Sequence, residues 1–210
     1  MSSVSPPGPT PAPADELAAS SASSASSHTL DTVSPWVRRF ATLVPAGEVL
    51  DLACGGGRHA RHLAGLGHEV VALDRDPAAL ALAAGPGITT AQIDLEADGA
   101  TWPYAPGRFA AIVVTNYLHR PLFGALVASL AADGVLLYET FADGNAQFGK
   151  PSNPDFLLAP GELLAMAAAH GLTVLAYEDG VQLVPTPAML QRLCAVRSGF
   201  PRPAALLTPF

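Results

Sequence analysis

Asp51 closes a short apolar run, three adjacent glycines follow at Gly55, Gly56 and Gly57, and a second apolar run ends on Asp74. Glycine lets a backbone approach a ligand without an intervening Cβ and take up positive φ. In a chain that alternates strand and helix, such a turn lies at the carboxyl end of the first strand, where open α/β sheets bind their ligands. A tight turn without a ligand needs one glycine, so three in a row point to a ligand. The spacing Gly55-x-Gly57-x-x-Ala60, with Asp74 downstream, is compatible with a dinucleotide whose ribose meets the second acid. Asp51 separates the ligand classes, because a carboxylate repels a diphosphate and attracts a cation.

S-adenosylmethionine carries a sulfonium and an ammonium group and no phosphate, and so turns Asp51 into an attraction. The stretch Asp51-Leu52-Ala53-Cys54-Gly55-Gly56-Gly57 resembles the first motif of class I S-adenosylmethionine-dependent methyltransferases, acid-x-Gly-x-Gly-x-Gly. More narrowly, the chain is similar to the small bacterial methyltransferases grouped with tellurite-resistance methyltransferases. The likeness runs from Ser34 to Arg197, and the specific motif lies within Val49–Asp76. Ala53 replaces the first glycine of the pattern, and its methyl group is expected to exclude a strongly positive φ there. The resemblance implies that Asp51, Ala53, Gly55 and Gly57 surround the cofactor. It also implies that Asp74 accepts from both ribose hydroxyls and that Arg75 lies beside the adenine. Asp94 would then meet the adenine amino group, with Leu95 supplying a backbone N–H and an apolar wall.

Methyl transfer is an in-line displacement at a carbon already activated by the sulfonium, so the protein mainly aligns donor and acceptor. The acceptor is expected on the loops after the fourth and fifth strands, Thr115–Pro121 and Tyr138–Pro154. Asn116 and Tyr117 would meet the methyl-bearing end of the cofactor. His119 is a candidate base, since an unperturbed imidazole titrates near pH 6.5, and equally a cap for the next helix. Glu139 is the other candidate base, and Lys150, the only lysine, stands in the loop above the acceptor. A small molecule is the expected acceptor. A net charge of −7 and a pI near 5.2 argue against a broad grip on nucleic acid. The Asn-Pro-Pro-Tyr of methyltransferases acting on adenine in DNA is also missing after the fourth strand, and the cluster Arg58, Arg61 and His62 reads as a solvated helix face. Two alternatives stay open. One is an NAD-dependent oxidoreductase, although no Tyr-x-x-x-Lys is present; the other is a non-catalytic S-adenosylmethionine-binding protein.

These residues need a scaffold, and the chain alternates accordingly. Strands are expected at Glu48–Leu52, Glu69–Asp74, Ile88–Asp94, Phe109–Thr115 and Gly134–Phe141, mostly apolar as in strands buried on both faces. Helices are expected from Pro35 through Leu43 with Ser34 as N-cap, at Arg58–Leu66, at Pro77–Ala84, and at Pro121–Ala132 with Asp133-Gly134 as the stop. No helical pattern fills the segment between the third and fourth strands, so that crossover is expected to be abbreviated. After Phe141 a Gly-, Pro- and Asn-rich loop, too long for a plain connector, reads as a lid. A helix at Pro160–His170 and strands at Leu172–Tyr177 and Met189–Val196 close the pattern. The sum is a Rossmann-like, doubly wound α/β sheet, mostly parallel, with an antiparallel C-terminal strand.

At 210 residues the chain suits one domain with extensions. Residues 1–30 are a Ser/Pro/Ala-rich tail expected to be disordered, without the pattern of a secretory leader; residues 31–200 form the methyltransferase domain and 201–210 a C-terminal tail. Mean hydropathy is +0.31, yet no apolar run reaches the roughly 18 residues of a membrane span. Cys54 and Cys194 have neither metal-ligand spacing nor the density of a disulfide scaffold, so reduced thiols in the cytoplasm and no metal site are expected.

Overall fold

The computed structural model describes Met1 and residues 32–202, so nearly all of the expected tails at 1–30 and 201–210 lies outside the described residues. The chain divides after Thr32, and the unit from Val33 onward carries the fold. Its strands are β1 (Val49–Leu52), β2 (Val70–Asp74), β3 (Ile88–Gln92), β4 (Phe109–Thr115), β5 (Leu130–Phe141), β6 (Thr173–Gln182) and β7 (Ala188–Val196). They form one sheet in the order β3-β2-β1-β4-β5-β7-β6. Strands β1 to β5 are parallel, and β7 is antiparallel to both of its neighbours. The chain thus has the Rossmann-like, mostly parallel architecture with an antiparallel C-terminal strand.

Strand parity sorts the core into two layers, since successive side chains point to opposite faces. Val49, Val70, Ala72, Ala111, Val113, Val135 and Leu137 pack with α1 (Pro35–Phe40), α2 (Arg58–Gly65) and α3 (Pro77–Ala83). Leu50, Leu52, Leu73, Ile112, Val114, Leu136 and Tyr138 pack with α4 (Phe123–Ser129) and α5 (Glu162–Ala169). As read from the sequence, Ser34 caps α1, its hydroxyl accepting from the Trp36 N–H with Pro35 in the first turn. The crossover from β3 to β4 holds no helix.

Three expectations are corrected. The helix predicted over Pro121–Ala132 begins as a 3-10 turn, Arg120–Leu122, and α4 ends at Ser129. Leu130 is already extended and buried, paired with Phe109, and an irregularity before the next pair, Ala111 with Val135, absorbs Asp133 and Gly134 within β5. Burial of Leu130 beside Phe109 outweighs the helical propensity of the alanines around it. Strand β3 stops at Gln92 and is mostly exposed, because it is an edge strand. Strand β6 runs to Gln182, five residues beyond Tyr177, because it pairs along the whole length of β7.

The loop after β5 is fastened down. Buried Asn145 donates to the Pro151 carbonyl and accepts from the Met189 N–H; buried Gln191 donates to the Ala159 carbonyl and accepts from the Leu163 N–H. Arg120 grips both Glu162 oxygens and the carbonyls of Asp155 and Leu157. These bonds carry the far side of the loop to the carboxyl ends of the strands. Gln191→Ala leaves a buried N–H and carbonyl unpaired, a cost of about 2 kcal/mol that should lower the melting midpoint by about 4–8 °C in a thermal scan. An unchanged midpoint would show that the loop is held by other contacts.

Candidate active site

The carboxyl ends of β1, β2 and β4 surround a cavity of about 210 Å³ lined by Leu52, Ala53, Leu73, Asp74, Arg75, Ile93, Asp94, Leu95, Glu96 and Tyr117. A second cavity, of about 390 Å³, lies against Arg75, Glu96, Asn116, Tyr117, Leu118, Thr140, Phe141, Pro151 and Phe156. Arg75, Glu96 and Tyr117 belong to both walls. The first cavity therefore joins five of the residues picked out as cofactor-binding, Ala53, Asp74, Arg75, Asp94 and Leu95, to apolar walls. Tyr117 stands at the junction and Asn116 on the wall of the larger cavity, both after β4.

The glycine turn is built around Asp74. One carboxylate oxygen accepts from the Gly55 N–H at 2.8 Å and the other from the Asp76 N–H at 3.0 Å. Each oxygen keeps a further lone pair for a ligand. The Cys54 N–H donates to the Leu73 carbonyl, tying the turn to β2, and Arg61 donates to the carbonyls of Gly56 and Leu82, tying it to α3. The solvated role expected of Arg61 thus gives way to a backbone staple. A Cβ on Gly55 would meet nothing within 4 Å, leaving space for a ligand. One on Gly57 would lie 2.5 Å from the Ala83 Cβ, so Gly57 is required by the contact with α3 and not by the cavity. Ala53 has a φ of +52°, against the expectation that its methyl group would exclude such a conformation. Pairing of β1 on both sides up to Leu52 and the bond from Cys54 leave the backbone between them no other course.

Asp51 does not line either cavity. Its odd position in β1 turns it to the α2 face, where it is 1% exposed and one oxygen accepts from the Ala60 N–H at 2.9 Å. The other oxygen is buried without a hydrogen-bond partner. Burial, opposed by that backbone bond and by the charge of Arg58, pushes the Asp51 carboxyl up to about 7. His59, also 1% exposed, lies beside it, and burial pushes its imidazole down to about 3. His59 was not singled out by sequence, although its place at the second residue of α2 beneath the glycine turn could have marked it.

The two candidate bases are not brought to the cavities. His119 lies outside both walls, and its carbonyl accepts from the Leu122 N–H to close the 3-10 turn, which is the capping role. The Glu139 carboxylate is 2.5 Å from Arg192, which also binds Glu178 and Gln182. Lys150 is exposed, and its neighbour Pro151 faces the cavity instead. The polar groups that sequence reasoning missed are Glu96 and Thr140. Glu96 and Tyr117 share both cavity walls, and burial, then the Glu96 charge, push the Tyr117 hydroxyl well above the usual tyrosine range. Tyr117 is therefore a donor at neutral pH. The Cys54 and Cys194 thiols are buried and pushed up to about 12, so they are protonated and unreactive.

Residues 49–132 match the family model described as a methyltransferase domain. Among solved structures, an S-adenosylmethionine-dependent methyltransferase from Mesorhizobium loti is similar, with 19% identity and a TM-score of 0.62, over 80% of this chain and 100% of that one. TehB from Haemophilus influenzae has 19% identity and a TM-score of 0.62, over 79% of this chain and 63% of its own. A methyltransferase from Methanosarcina mazei has 13% identity and a TM-score of 0.61, over 79% and 98%. Residues 49–132 are thus similar to a methyltransferase domain, and the solved structures share the fold of the chain. No curated protein matches the chain. No helix among the described residues is long and apolar enough to cross a membrane.

Two outcomes test the geometry of the glycine turn and of Asp51. Left-handed backbone costs a residue with a Cβ roughly 1–2 kcal/mol, part of which glycine returns through its freer unfolded chain. Ala53→Gly should therefore raise the melting midpoint by about 1–3 °C; a fall would refute the strain at this turn. For Asp51 the folded value lies above the unfolded one. Its contribution is thus complete below about pH 4 and is lost as the pH rises through about 7. His59, lowered by folding, contributes in the opposite sense, fully above its unfolded value near 6.5 and less as the pH falls toward about 3. In the cofactor-free protein the stability of Asp51→Asn relative to wild type should therefore climb from pH 4 to pH 7 and then level off. A difference independent of pH, in denaturant titrations, would show that Asp51 is not held in this state.

Proposed function

We propose that the chain methylates a small molecule, held in the larger cavity, at the expense of S-adenosylmethionine bound in the smaller one. The observation that carries this reading is the balance of charge around the cofactor-side cavity. Three carboxylates, Asp74, Asp94 and Glu96, face one cation, Arg75, with the buried Asp51 behind them. That lining disfavours a diphosphate and favours a donor with two positive centres. It therefore argues against an NAD-dependent oxidoreductase.

The residues fit an adenosine group. Leu52, Leu73, Ile93 and Leu95 offer apolar walls to a flat base, and the free lone pairs of Asp74 face the place of a diol. Arg75 would stack on the base, and Asp94 and Leu95 would meet its polar edge. The orphaned oxygen of Asp51 supplies negative potential from beneath the turn. S-adenosylmethionine supplies an electrophilic methyl group. The chain's own task is to align the acceptor with it and to exclude water, for which orientation alone is worth roughly 7–11 kcal/mol.

The larger cavity suits a partly apolar acceptor. Leu118, Phe141, Pro151 and Phe156 form its apolar walls, Asn116 and Thr140 offer polar contacts, and Tyr117 stands where it meets the smaller cavity. With His119 and Glu139 outside the cavity, Glu96 is the carboxylate placed to take a proton from the acceptor.

Ligand binding tests the reading. At about 100 times Kd, S-adenosylmethionine should stabilise the protein by about 2.7 kcal/mol, raising the midpoint by about 5–10 °C, while NAD leaves it unchanged. Asp74→Ala should abolish calorimetric binding of S-adenosylmethionine. A shift with NAD alone, or undiminished affinity in the variant, would overturn the assignment. Incubation with methyl-labelled donor and a metabolite extract then separates an enzyme from a non-catalytic binder.

A further inference from the structure

We propose that His59 is a positioning residue for the cofactor site, acting through Asp51 and Thr115; this rests on the S-adenosylmethionine reading above. The imidazole is buried at the point where four elements meet. Its Nε2 is 3.2 Å from the Ser34 N–H, at the entry to α1. Its Nδ1 is 3.3 Å from the Thr115 hydroxyl, at the end of β4, and 4.0 Å from the orphaned Asp51 oxygen, in β1. The residue itself sits in the first turn of α2.

The tautomer follows from these contacts. A backbone N–H only donates, so Nε2 must accept from Ser34, and in the neutral ring the proton is then on Nδ1. The Nδ1–H faces two acceptors at once, the Thr115 hydroxyl and the Asp51 carboxylate. At 4.0 Å the second contact is too long for a hydrogen bond, which is why that oxygen is left without a partner.

Both acceptors sit beside residues that line the cavities. Asp51 is followed by Leu52 and Ala53, on the cofactor-side wall; Thr115 is followed by Asn116, at a φ of +55°, and Tyr117, on the wall toward the acceptor. The Nδ1–H thus meets the hydroxyl at the end of β4 and faces the carboxylate of the neighbouring β1, beneath the place where donor and acceptor must meet. Strand parity makes this possible, since Asp51 and Thr115 both point to the α2 face while the neighbours that line the cavity do not.

Two conservative replacements separate the halves of the ring. An asparagine amide reaches the position of Nδ1, and a glutamine amide that of Nε2. His59→Asn should keep the affinity for S-adenosylmethionine within about threefold while losing the Ser34 contact. His59→Gln should weaken it about tenfold or more, the effect of leaving buried acceptors without their donor. Melting midpoints of both variants should fall to a similar extent, so that affinity and stability part company. Thr115→Val, which removes one of the two acceptors with His59 intact, should weaken binding about threefold or more. Calorimetry at one pH reads all three. Equal affinities in the Asn and Gln variants, whether both normal or both lowered in step with stability, would overturn the proposal, as would normal binding by Thr115→Val. Failure of the wild-type protein to bind would instead overturn the cofactor reading, and this proposal with it.

Discussion

A carboxylate buried between a parallel sheet and the first turn of a helix is the constraint on which this site depends. Asp51 satisfies one oxygen with the Ala60 N–H, one of the donors that any helix start leaves over, and keeps the other unpaired. Burying a charge is costly, and here burial outweighs the backbone bond and the charge of Arg58, so the folded protein holds Asp51 nearer neutrality than an exposed carboxylate. A cation bound at the turn would meet the ionised form with little water between them, where Coulomb attraction is strongest. The same burial that makes Asp51 costly in the free protein makes it useful to a cationic ligand.

The architecture around the carboxylate divides labour by strand parity. Residues on the α1, α2 and α3 face support from below: Asp51, Thr115 and, from α2, His59. Residues on the other face, and in the loops that leave the strands, build the walls of the cavities. Gly57 belongs with the supports, for it permits α3 to close against the turn, and Arg61 staples that contact. Gly55 belongs with the walls, since space lies open before it. The fastened loop beyond β5 completes the larger cavity, with Arg120 tying it to the same strand end that carries Asn116 and Tyr117.

Much of this was legible before folding. The alternation of apolar runs and helical faces, the N-cap at Ser34, the helix-free crossover before β4 and the antiparallel end all follow from local pattern, because each depends on neighbours within a few residues. That Asp74, Arg75, Asp94 and Leu95 gather at one cavity was readable for a related reason: each stands at or just beyond the carboxyl end of a strand, where the fold opens its clefts. Leu130 was misread because its conformation depends on Phe109, distant in sequence. His119 and Glu139 were misread because residue type announces a possible base but not its partners.

By itself, the sequence determined the sheet, its order of strand and helix, and a glycine turn set between two acids suited to a cationic ligand. Composition and periodicity suffice for that, since burial and backbone geometry act through spacing. Only the tertiary structure decided which acid touches the cavity. It turned Asp51 away to the α2 face and left Asp74 at the wall. It also forced Ala53 to positive φ, gave Glu139 to Arg192, and drew His59 to Asp51 and Thr115. Each of those outcomes rests on contacts between segments far apart in the chain, and no local spacing encodes them.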